Sequence, residues 1–94
     1  MEDLVYRVID FSNCKYIYDM HEVLKQELEL PDFYGRNLSA LWDSITGIMA
    51  VPADVTIRGI DKLPKELQPA AHKMVGIFRR AETMYGDVKV RVEE

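Results

Sequence analysis

Apolar positions along this chain recur with two periods, near two and near 3.6 residues, and the switches between them mark the elements. In "DLVYRVIDF" Val5 and Ile9 flank Arg7 on one face, while Leu4, Tyr6 and Val8 lie on the other. Apolar residues on both faces predict a strand covered on both sides and central in its sheet. "DMHEVLKQELEL" changes to helical spacing, with Met20, Val23, Leu24 and Leu28 in one stripe and Glu22, Lys25, Gln26 and Glu29 toward water. Asp19 followed by Glu22 predicts a capping box with Asp19 as N-cap, and Pro31 closes the helix. "DFYGRN" is a loop, and Asn37 caps a second helix whose apolar positions are Leu38, Leu41, Trp42 and Ile45. Gly47 is expected to supply a left-handed stop.

"DVTIRGI" alternates Val55 and Ile57 with Thr56 and Arg58, as a half-buried strand does. Pro64 opens a short helical turn, and Pro69 sits at the start of a longer helix with Ala71, Met74, Val75, Phe78, Ala81 and Tyr85 along one face. Gly86 ends it. "DVKVRVEE" then places Val88, Val90 and Val92 inward and Lys89 and Arg91 outward, as suits an edge strand. Connections this long favour parallel pairing. The expectation is an α/β domain spanning residues 1–94, with a three-stranded parallel sheet, the first strand central, and about four helices.

Composition narrows the function. The chain has 94 residues and a formal charge of −4, which argues against a nucleic-acid binder with its basic face. Its single cysteine, Cys14, allows no intrachain disulfide and reads as a small buried hydrophobe. Cysteine poverty and the lack of a signal peptide point to the cytoplasm. The apolar run from Ile48 to Val51 is far too short to span a bilayer.

Catalytic patterns are missing. His21 and His72 fall on helices without metal-ligand company and read as surface imidazoles. No nucleophile elbow, zinc-helix motif, phosphate loop or dinucleotide fingerprint occurs, so neither an enzyme nor a cofactor or metal site is expected. The second helix stands out instead. Ser39, Asp43 and Thr46 share the face opposite its apolar stripe. Asp43 lies about one turn from the helix end, where the dipole disfavours an anion by roughly 0.3–1 kcal/mol. Its neighbours at three and four positions, Ser39, Ala40, Thr46 and Gly47, include no cation. In the loop ahead, Phe33 reads as a core plug and Tyr34, with its polar tip, as the better surface contact. Trp42 reads as core packing with at most an edge exposed.

At these residues the chain resembles the barstar family, intracellular inhibitors of the bacterial ribonuclease barnase. The resemblance is carried by "LPDFYGRNLSALWDSITG", by "DMHEVLKQELEL" before it and by "FRRAETMYGDVKVRV" near the end. It implies a barstar-like fold and a toxin-neutralising role, in which a loop and helix plug a cationic nuclease site and a helix carboxylate occupies a phosphate position. Asp43 stands at that carboxylate's position. Phe33, Tyr34, Gly35, Arg36, Asn37, Ser39, Trp42, Thr46 and Arg80 complete the implied partner-binding set. The implied partner is a small basic ribonuclease, bound by a protein that is monomeric when free and touches neither nucleic acid nor membrane. Ser39, Arg36 and Arg80 stand where the barnase inhibitor has acids, Phe33 replaces a tyrosine and Ile48 an exposed tryptophan. Between residues 30 and 47 only Asp32, Arg36 and Asp43 are charged, a local sum of −1. These departures imply weaker long-range steering and a nuclease with a different rim, one carrying an acid opposite Arg36 or Arg80. The alternative is a barstar-like interaction module whose partner is not a nuclease.

Overall fold

The computed structural model describes residues 4–93. Asp3 and Glu94, the outermost residues of the first and last predicted strands, lie outside them. Strand β1 (Val5–Asp10) leads to helix α1 (Ile17–Glu27), a loop, and helix α2 (Leu38–Gly47). Strand β2 (Ala53–Arg58) follows, then 3-10 turns at Ile60–Lys62 and Lys65–Leu67, helix α3 (Gln68–Tyr85) and strand β3 (Val88–Glu93). The fold is α/β with a parallel three-stranded sheet, as expected. The helical segment predicted at Pro64 is the turn Lys65–Leu67, which runs directly into α3.

The strand order is β1-β2-β3, so β2 is central and β1 is an edge. That corrects the expectation for the first strand. The register aligns Arg7, Val55 and Val90, and beside them Ile9, Ile57 and Val92, on the face that the helices cover. Tyr6 and Val8, on the other face, are 69% and 44% exposed. Connections of one hand that step along neighbouring strands in the same direction place every helix on the same side. The second apolar row of β1 therefore has no layer among the described residues to cover it. Aspartate enters the centre of the sheet instead: Asp54 is buried, and its carboxylate accepts a 2.8 Å hydrogen bond from Arg91 Nη2.

The helical stripes predicted from spacing form the other half of the core. Met20, Leu24 and Leu28 share one core with Leu41 and Ile45, and the α3 face of Ala71, Met74, Val75, Phe78 and Ala81 closes over the sheet. Tyr85, expected on that face, is more than half exposed. Helix α1 begins before the predicted cap: Tyr16 is the N-cap, and Asp19, one turn in, accepts hydrogen bonds from the Tyr16 and Lys15 amides at 3.0 Å. An acid at the third helical position reaches back to satisfy the same orphan donors. Helix α2 ends without a left-handed glycine. Ile48 follows with φ −122°, and the Met49 amide donates to Ser44 O at 2.8 Å as the Met49 side chain enters the core. Gly86 does take the left-handed conformation, φ 73°, at the end of α3.

A candidate protein-binding loop and helix

Three side-chain links from α1 hold the loop that precedes α2. Lys25 Nζ lies 3.3 Å from Asp32, His21 Nδ1 lies 2.6 Å from the Tyr34 hydroxyl, and Glu22 receives Arg36. The middle link is buried, with His21 3% and Tyr34 4% exposed. Burial pushes the Tyr34 hydroxyl up to about 12 and lowers the His21 imidazole. The nearby Arg36 charge pulls the tyrosine slightly back and lowers the histidine further. Both groups are thus held neutral, and they share one proton-bearing contact.

This geometry corrects three expectations. His21 is a core residue, not a surface imidazole, because its ring has a partner inside the fold. Tyr34 turns inward to that partner, and Phe33, read as the core plug, is left 71% exposed. Adjacent loop residues point opposite ways, and the buried hydrogen-bond partner selects the one with the hydroxyl. Arg36 is also engaged within its own chain. Its Nε and Nη2 donate to Glu22 Oε2 at 3.1 and 2.9 Å, and its guanidinium sits 5.0 Å from the Tyr18 ring centroid. The bond to Glu22 raises its affinity for the proton above the ordinary arginine value. Arg36 holds φ 52°, a left-handed conformation unusual for a residue with a side chain.

Asn37 then caps α2 as predicted. Its Oδ1 accepts from the Ala40 amide at 2.7 Å, and its Nδ2 donates to Gly35 O at 3.2 Å. The cap sets the helix phase. Leu41, Ser44 and Ile45 go inward, and Ser39, Asp43 and Thr46 stay on the surface. Thr46 Oγ1 donates back to Trp42 O at 2.8 Å. Trp42 is half-buried against α3, with its ring 6.3 Å from that of Tyr85 and the Arg80 guanidinium 5.0 Å from its centroid.

The Asp43 carboxylate accepts no hydrogen bond and joins no ion pair among the described residues. It rises between two surface hollows. One is formed with the loop, against Phe33, Gly35 and Ile48; the other faces α3, against Ser39, Trp42 and Arg80. Of the implied binding residues, the structure groups Phe33, Gly35, Ser39, Trp42, Asp43 and Arg80 around these hollows, with the buried Tyr34 in the floor of the one beside the loop and Asn37 and Thr46 exposed on the same loop and helix. It sets Tyr34 and Arg36 to holding the loop.

His21 and Glu22 escaped the sequence reading as supports. Their partners lie 13 and 14 residues away, beyond any local spacing rule. The described residues contain no group of three or more acidic, histidine or cysteine side chains placed to hold a metal. Cys14 is buried, and burial followed by the charges of Asp19 and Asp10 pushes its thiol up, away from reactivity.

The family model described as Barstar (barnase inhibitor) matches residues 4–93. The chain belongs to the barstar family. It is also 31% identical over 87 residues to a protein of Bacillus subtilis (strain 168) named "Putative ribonuclease inhibitor YrdF", a match covering 92% of this chain and 96% of that one. Barstar-family proteins are inhibitors rather than enzymes, which accords with the lack of a catalytic constellation in the sequence. No helix among the described residues is long and apolar enough to cross a membrane.

Proposed function

We propose that this barstar-family protein inhibits a small basic ribonuclease by placing α2 and the loop before it in the nuclease's cationic active site, with the Asp43 carboxylate in a phosphate position. The observation that carries this reading is the state of Asp43: exposed, without an ion pair among the described residues, on a helix fixed by the Asn37 cap and by a buried inner face. A carboxylate accepts two guanidinium hydrogen bonds much as a phosphate does. A helix already fixed in the free protein loses little freedom on binding. Phe33 supplies exposed aromatic surface beside the acid, and Tyr34 acts from beneath by holding the loop. The family match and the name of the Bacillus relative support the same reading. The buried lone thiol suits a reducing cytoplasm, where such an inhibitor would protect the cell's own RNA.

The test is inhibition of RNA cleavage by purified ribonucleases of the barnase type. The wild-type protein is expected to inhibit one of them at one-to-one stoichiometry. Asp43→Ala should lose about 3–5 kcal/mol, from a hundred-fold to several-thousand-fold, because it leaves the nuclease's cations buried without a partner. A folded wild type that binds such a nuclease without slowing RNA cleavage would overturn the reading.

A further inference from the structure

The hollow between α2 and α3 holds one unpaired charge of each sign. Asp43 stands on its α2 wall and Arg80 on its α3 wall, with Ser39 and Trp42 between them. They form no ion pair with each other, and neither forms one elsewhere among the described residues. The helical neighbours of Arg80, namely Gly76, Ile77, Thr83 and Met84, include no acid. Its guanidinium nevertheless has a fixed seat, 5.0 Å from the Trp42 ring centroid, although the residue is exposed. Stacking on an aromatic face leaves the guanidinium's edge N–H donors available in their planar fork. Arg36, the other cation of this surface, differs in that two of its donors already serve Glu22.

We infer that Arg80 is a specificity-determining contact that reads a carboxylate on the rim of the partner nuclease, beside the cationic cleft that receives Asp43. This rests on the inhibitor reading above and deepens it by describing the partner. The two walls present a minus and a plus, so the matching surface is a basic centre with an acid at its edge. A nuclease whose rim is wholly basic meets Arg80 as a like charge and is disfavoured. Arg80 thus separates related nucleases that Asp43 alone would treat alike.

Barnase and a set of barnase variants, each with one glutamate introduced at an exposed position around the active-site rim, test this directly. Dissociation constants are measured for the wild-type inhibitor, Arg80→Gln, Arg80→Glu and Asp43→Ala. At least one rim glutamate should tighten binding of the wild type tenfold or more. Arg80→Gln should lose that gain, and Arg80→Glu should bind unmodified barnase more tightly than the wild type does. If no rim glutamate separates the wild type from Arg80→Gln by more than twofold, or if none of these pairs binds, the inference is overturned. Failure of the inhibitor reading itself looks different: Asp43→Ala would then bind barnase or its variants as tightly as the wild type.

Discussion

The Tyr34 hydroxyl lies 2.6 Å from Nδ1 of His21, a buried contact that joins the centre of the loop to the middle of α1. Tyr34→Phe removes the hydroxyl and leaves a ring nitrogen without its partner. The cost should be about 1–3 kcal/mol, the penalty for an unsatisfied buried polar group, read as a lower urea midpoint.

The same pair makes stability depend on pH at both ends. The folded His21 imidazole titrates below its ordinary value of 6.5, so its contribution is complete above that value. As pH falls below 6.5 the unfolded chain takes up the proton first, and stability declines toward the folded value. Tyr34 is raised from 10.0 to about 12, so its contribution is complete below pH 10 and is lost between pH 10 and 12. Urea titrations from pH 4 to 8 should show the acid decline in the wild type and a flatter profile in His21→Gln.

Phe33 and Tyr34 are neighbours with opposite duties, and alanine separates them. Phe33→Ala should change stability by no more than about 0.5 kcal/mol, since the ring is in solvent. Tyr34→Ala should cost about 3–5 kcal/mol through the lost core volume. Binding to the nuclease should weaken for Phe33→Ala with the fold intact, as thermal unfolding and titration calorimetry together will reveal.

Asp43→Ala should stabilise the free protein while destroying its function. It removes an anion near a helix C-terminus and introduces a better helix former, a gain of about 0.3–1 kcal/mol. A raised melting temperature alongside lost inhibition is the expected signature. A lowered one would mean that the carboxylate has a stabilising partner in the free fold.

Trp42 is the only tryptophan in the chain, and it lies in the hollow with Arg80 and Asp43. Arg80→Ala removes a cation from its ring face. The emission spectrum of the free protein should shift, with a stability loss of about 0.5–1 kcal/mol or less. Complex formation should change the same emission, giving a direct titration signal.

Much of this was legible in the sequence because periodicity reports burial. The Met20, Leu24 and Leu28 stripe, the inner face of α3, the Asn37 cap and the left-handed Gly86 all follow from local rules. What local rules cannot convey is how many layers cover a strand. Leu4, Tyr6 and Val8 read as a second buried face and are solvent-exposed. Nor could spacing show which of Phe33 and Tyr34 turns inward, since the deciding group is His21 on another element. Arg36 looked free for a partner because Glu22, its acceptor, is equally remote along the chain. The Asp43 surface was legible because everything that sets it, the Asn37 cap and the Leu41 and Ile45 stripe, is local to α2.

Helix α2 keeps its two duties on opposite sides of ten residues. The inner letters, Leu41, Ser44 and Ile45, are buried in the core, and the outer letters, Ser39, Asp43 and Thr46, are exposed, with only the Thr46 side chain bonded back to its own helix among the hydrogen bonds of the described residues. Such a division lets the outward letters of α2, like Arg80 across the hollow on α3, drift while the inward ones keep an unaltered scaffold.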